Sequence, residues 1–188
     1  MNIKLFIAAS ILTIISSFAY ADSLNFAKGW QQNANDTKSN QYTFKYIHDV
    51  NSKLDVDVLA SNMKNTTTLS GTQLYEVGAR YKVPIKFPNR SAVYLRGALG
   101  SLQPANKSNM NYTGVEVGIL SKPLNNNVLV RLDYTIMSGT NTDRLDNKYS
   151  RVWLGYELSK KRTVAIRRDF MRGDLTFDTW HLLYSIKF

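Results

Sequence analysis

From Asp22 onward the chain alternates apolar and polar residues with a period of two, in segments of roughly ten residues, and few folds tolerate that pattern. Successive side chains of a strand point to opposite faces, whereas a helix repeats about every 3.6 positions. Tyr42, Phe44 and Tyr46 alternate with Thr43 and Lys45, and Leu54, Val56, Val58 and Ala60 with Asp55 and Asp57. Tyr75, Val77, Ala79, Tyr81 and Val83 oppose Glu76, Gly78, Arg80 and Lys82; Val93, Leu95, Gly97 and Leu99 oppose Tyr94 and Arg96. In the second half, Val115, Val117 and Ile119 face away from Glu116 and Gly118. Val128, Val130, Leu132, Tyr134 and Ile136 do so from Arg131 and Asp133. Val152, Leu154, Tyr156 and Leu158 oppose Arg151, Trp153 and Glu157, and Val164, Ile166 and Phe170 oppose Arg167 and Asp169. The last segment sets Trp180, Leu182, Tyr184, Ile186 and Phe188 against His181, Ser185 and Lys187.

These segments predict an all-β chain, and a weaker tenth one at 24–31 joins the nine clear ones. Connections around 50–52, 84–89, 121–126 and 159–161 read as mostly short. Those around 62–72, 102–109 and 138–147 read as longer, rich in Asn, Ser, Thr and Lys. All four prolines (Pro84, Pro88, Pro104 and Pro123) are placed in connections, where no ladder hydrogen bond is lost. Alternating long and short connections predict a closed antiparallel up-and-down barrel with an even number of strands. Ten strands is the expectation and eight the alternative.

Alternation does not say which face is outside. A soluble barrel hides its apolar face, while a barrel in lipid turns it outward and must close, because lipid satisfies no open edge. The polar face carries both signs: Lys45, Arg80, Lys82, Arg96, Arg131, Arg151, Arg167 and Lys187 against Asp55, Asp57, Glu76, Glu116, Asp133, Glu157 and Asp169. That balance suits a narrow lumen filled by ion pairs rather than an open pore. Tyr42, Tyr75, Tyr134, Phe170 and Trp180 lie toward one end of the apolar face, and Tyr46, Tyr81 and Phe188 toward the other, the positions of two interfacial aromatic girdles. Arg168 breaks the pattern by sharing a face with Val164, Ile166 and Phe170; a bulge there, or a height that reaches headgroup phosphates, would account for it.

The first residues read as an export signal. Lys4 precedes an apolar run over 5–18, shorter than the roughly 20 residues of a membrane-spanning helix, and Ala19-Tyr20-Ala21 forms an A-x-A site. The expectation is a signal peptide over 1–21, cleaved between Ala21 and Asp22, and one domain over 22–188. The chain has no Cys, which excludes disulfides and Cys-based nucleophiles or metal sites. Its net charge of +10 is scattered along the chain rather than patched, so lipid and lipopolysaccharide phosphates are the expected partners and nucleic acid is not.

The C-terminus adds a resemblance. Phe188, preceded at alternate positions by Ile186, Tyr184, Leu182 and Trp180, resembles the terminal signature of Gram-negative outer-membrane proteins, a likeness confined to about the last ten residues. In that class the closing strand is read by the barrel-assembly machinery, which the resemblance makes an expected partner. Length and connections are similar to those of small OmpX-like and opacity-type barrels.

Chemistry is sparse. His48 and Asp49 are adjacent in a strand and point to opposite faces, so they do not form a dyad. His181 and Ser185 lie about 13 Å apart along one face, too far for a hydrogen bond. Barrel deacylases of lipid A carry a His-x-Ser pair, absent here, and omptin-type proteases place a His-Asp pair near the outer rim, the wrong end for His48. No phosphate loop, metal cluster or cofactor motif is present. The leading expectation is a non-enzymatic outer-membrane barrel serving envelope structure or surface interaction through Lys38, Lys64, Lys107 and Arg144 of its outer loops. A narrow channel, a barrel hydrolase and a soluble periplasmic barrel are the alternatives.

Overall fold

The computed structural model describes residues 22–32, 38–65, 71–84, 91–104, 108–123, 127–140, 146–174 and 176–188. The leader expected over 1–21 lies outside them. Ten strands follow one another without a helix among the described residues: β1 (Ser23–Gln32), β2 (Lys38–Asp49), β3 (Leu54–Asn65), β4 (Gly71–Lys82), β5 (Ala92–Pro104), β6 (Met110–Ser121), β7 (Val128–Gly139), β8 (Asn147–Ser159), β9 (Arg162–Gly173) and β10 (Phe177–Lys187). Each pairs antiparallel with the next, and β1 closes the barrel on β10. The strand that was weakest in sequence is therefore the one that seals it. Phe26 stands opposite Phe44 on one side and Tyr184 on the other, so ten strands replace the alternative of eight.

A 12-residue strand at about 3.3 Å per residue and a tilt of about 40° rises roughly 30 Å, the thickness of a bilayer's hydrocarbon core. The apolar set is outside: Leu99 and Val115 are each 66% exposed, while Asp55 and Asp169 are fully buried. A soluble barrel would need the reverse, and that alternative is not what the chain builds. Tyr42, Tyr81, Tyr134, Trp180 and Phe188 all stand among the exposed aromatics, and Trp30 joins them.

Three expectations change. Strands run further than the alternation alone suggested, absorbing polar residues such as Ser61, which accepts a hydrogen bond from Gln41 and shares one with the Thr43 hydroxyl inside the barrel. The connections at the end away from the termini thereby shrink to 33–37, 66–70, 105–109, 140–146 and 174–176. The longest connection, 83–91, is at the terminal end, so long and short connections do not alternate. Pro104 is the last residue of β5 rather than part of a connection, tolerated there because the ladder is ending. Arg168 keeps its outward phase without a bulge: it pairs in register with Trp180 and Val152, and the one register shift on β8–β9 is at Glu157/Ser159.

Candidate functional site

The site is the lumen, and its construction begins with glycines. Asp57 of β3, Gly78 of β4 and Ala98 of β5 are lined up across the ladder. With no Cβ at Gly78, the Arg96 side chain lies across β4 and reaches the next strand but one; a Cβ there would meet its guanidinium. Arg96 Nη2 donates to Asp57 Oδ1 at 2.5 Å and to Glu76 Oε1 at 2.5 Å. The device recurs twice. Tyr94 of β5 crosses Gly118 of β6 to donate to Asp133 of β7, and Tyr112 of β6 crosses Gly100 of β5 to donate to Glu76 of β4 at 2.7 Å.

These crossings knit the interior charges into one band. Lys45 Nζ lies 3.1 Å from Asp57, and Arg80 pairs with Asp55 at 3.0 Å. Glu116 receives Arg131 at 3.2 Å and Arg151 at 2.9 Å, while Arg131 also reaches Asp133 at 2.9 Å. Asp169 is held by Arg167 at 2.8 Å, Tyr149 at 2.6 Å and His181 at 2.8 Å. Glu157 stands apart from the band, paired with Lys122 at 2.7 Å. Buried charges persist only when paired in this way, and the pairing fixes which side chain projects where.

The pairs do not fill the bore. They run along the wall between neighbouring strands and leave a cavity of about 620 Å³. Its lining follows β6 from Met110 to Leu120 and β2 from Ser39 to Ile47, nearly the whole height of the barrel. The reading of the lumen as filled is corrected on this point. The lining is also lopsided in charge. Among the described residues, Lys45, Arg80, Arg131, Arg151 and Arg167 line it, whereas Glu76 and Asp133 are its only acids. Asp55, Asp57, Glu116 and Asp169 are at most 2% exposed, set back in the wall behind their cations.

Sequence reasoning missed the lumen's apolar end. Tyr112, Met137 and Met171 form a buried cluster with Leu74, Leu102, Met110, Tyr149 and Phe177, toward the mouth away from the termini. The signal was available: Met110 and Leu102 are in inward phase with Tyr112 and Arg96, beyond where the alternation had been ended. Arg131 is flanked by the rings of Tyr94 at 4.8 Å and Trp153 at 5.9 Å.

The remaining candidates are separate. His48 faces outward and its Nδ1 lies 2.7 Å from Asp22 Oδ1, while Asp49 lies beside Lys82 and Lys187. Tyr46 donates to the same Asp22 carboxylate at 2.5 Å, and the Phe188 N–H to the Asp22 carbonyl at 2.9 Å. Asp22 thus ties the first strand to the last residue, whereas Ala21 lies outside the described residues. Trp180, Leu182, Tyr184 and Ile186 occupy one face of β10, with Phe188 just beyond it; Trp180, Leu182 and Phe188 are among the exposed apolar residues. Lys38 and Lys64 belong to strands rather than loops, and Lys107 and Arg144 lie outside the described residues.

No protein-family model matches the chain, and no curated protein sequence does. Solved structures do share its fold. The chain is similar to the NanC porin, at 11% identity and a TM-score of 0.56 over 88% of this chain and 100% of that one. It is also similar to an outer membrane channel from Pseudomonas putida F1, at 10% identity and a TM-score of 0.52 over 89% and 94%. The β-domain of the Bordetella autotransporter BrkA aligns at 8% identity and a TM-score of 0.51 over 88% and 98%. The fold is that of outer-membrane β-barrels.

Proposed function

We propose that the protein is a narrow, anion-preferring channel of the bacterial outer membrane. The observation that carries this reading is the cavity along the lumen, whose lining among the described residues holds five cations and two acids while four acids are withdrawn into the wall. A passing anion meets guanidinium and ammonium donors; a passing cation meets carboxylates already engaged by Arg or Lys. Selectivity in pores arises from the sign of the groups that line them. About 620 Å³ spread over roughly 25 Å of barrel axis gives a mean cross-section of roughly 25 Å², suited to small solutes in file. The likeness in fold to two channels supports this reading over a purely structural role or a hydrolase.

In this reading both termini face the periplasm, the leader over 1–21 is removed on export, and Phe188 with its alternate partners is presented to the barrel-assembly machinery. Planar-bilayer recording under a potassium chloride gradient tests the function. Discrete conductance steps with a reversal potential displaced toward that of chloride are expected. Conductance at background, or a reversal potential on the potassium side, would overturn it.

A further inference from the structure

The lumen does not use the outer surface around β9, β10 and β1, and that surface departs from an ordinary lipid-facing wall in two ways. Its first peculiarity is charge. Lys28, Lys148, Arg168 and Arg172 belong to the outward rows of β1, β8 and β9, with Asp178 as the carboxylate among them. Arg168 lies 3.4 Å from Asp178 and 4.7 and 5.1 Å from the ring centroids of Phe170 and Trp180. Arg172 takes the other oxygen of Asp178 at 2.7 Å, so one carboxylate serves two guanidinium groups. Lys28 Nζ sits over Trp30 at 5.4 Å and Tyr42 at 5.9 Å. Arg168 starts near the middle of β9, and its side chain runs toward the mouth away from the termini to meet Asp178, the second residue of β10. A long cation that snorkels this way along aromatic rings meets lipid phosphate as its counter-charge.

Its second peculiarity is shape. Tyr184, Phe26, Phe44, Ala60 and Tyr75 form one continuous outward row across β10, β1, β2, β3 and β4. Four of the five are aromatic, and Ala60 leaves a gap two strand spacings wide, about 10 Å, between the rings of Phe44 and Tyr75. A groove of about 510 Å³ opens there, with Lys28 and Tyr42 on its border. An acyl chain fits a trough of this width with aromatic walls.

We propose that this face binds a phosphorylated glycolipid of the outer leaflet, one acyl chain lying beside Ala60 and a phosphate held between Lys28 and Arg168. The two Cα atoms are two strands and two residues apart, about 12 Å, so their long side chains converge on one group. Lys148 and Arg172 lie one strand further on and on the same strand as Arg168, which suits a wide headgroup with more than one phosphate rather than a single phosphodiester. The proposal depends on the channel reading only for orientation, with the termini periplasmic.

Native mass spectrometry of the folded protein in neutral detergent tests it, with lipid A, phosphatidylglycerol and inorganic phosphate as three separate probes. Lipid A adducts should survive, and phosphatidylglycerol adducts should be about tenfold fewer. Inorganic phosphate should leave none, since half the site is the groove. The double variant K28A/R168A removes the charge, and A60W fills the groove from the lipid side without touching the ladder. Each should cut lipid A adducts about tenfold while heat-modifiable migration is kept. Equal retention of both lipids, or undiminished lipid A on both variants, would overturn the site. Conductance does not enter this readout, so the failure of either proposal is seen separately.

Discussion

Arg96 of β5 and Asp57 of β3 are joined over a strand that neither belongs to, the guanidinium Nη2 2.5 Å from the carboxylate across the bare backbone of Gly78. The contact is buried on both sides, with 3% and 1% of the two side chains exposed. It couples three strands through side chains in addition to their ladders.

Replacing Arg96 with Leu leaves the buried Asp57 without its guanidinium and Glu76 with one strong donor fewer. The expected cost is about 3–5 kcal/mol of folding stability, the usual range when one partner of a buried ion pair is removed. Urea titration of the refolded protein in micelles measures it. A loss below about 1 kcal/mol would mean that the band is ornamental to stability.

Two glycines of neighbouring strands should respond oppositely to the same change. Gly118 lies under the Tyr94 ring, so Gly118→Val forces the ring away from Asp133 and costs about 1–3 kcal/mol or more. Gly97 faces lipid with no atom within 4 Å of where its Cβ would be, and Gly97→Val folds at least as well as the parent. The fraction migrating in the heat-modifiable form separates them; equal yields would contradict the crossing arrangement.

The height of Arg168 is testable by exchange with a leucine. Leu132 of β7 is outward-facing on the same ladder row as Arg168, with Val152 between them, and its cross-strand neighbours are Ile119 and Val152, whereas the Arg168 side chain reaches toward the far mouth to Asp178. Leu132→Arg should cost about 2–4 kcal/mol in phosphatidylcholine vesicles, whereas Arg168→Leu should change stability by about 1 kcal/mol or less, the interfacial value. Similar magnitudes at the two sites would place Arg168 in the hydrocarbon.

How much of this was legible follows from what a period of two encodes. Faces were legible wherever one side met lipid, and so Leu95 and Val117 fell outside and Arg96 and Glu116 inside. β1 was faint for a physical reason: Lys28 stands on its outward face at the girdle and Gly29 on its inward face beneath His181, so neither row keeps a pure character. Connection lengths were misjudged because Asn, Ser and Thr at strand ends look like loop residues, although inside a barrel Ser61 is hydrogen-bonded to Gln41 and Thr43. Pairings such as Tyr94 with Asp133, 39 positions apart, were beyond a pattern that is local. The glycines that permit them were visible, but their purpose needed the register.

The account stands or falls on which face meets lipid, and three tryptophans report on it directly. Trp30 and Trp180 are about half exposed on the outer wall, whereas Trp153 faces the lumen beside Arg131. Three variants, each keeping one tryptophan, would be refolded into vesicles of lipid brominated along its acyl chains, a quencher that acts only at contact. Strong quenching of Trp30 and Trp180 with little for Trp153 is the predicted result. Quenching of Trp153 with the other two spared would contradict the inverted barrel and every function read from its lumen.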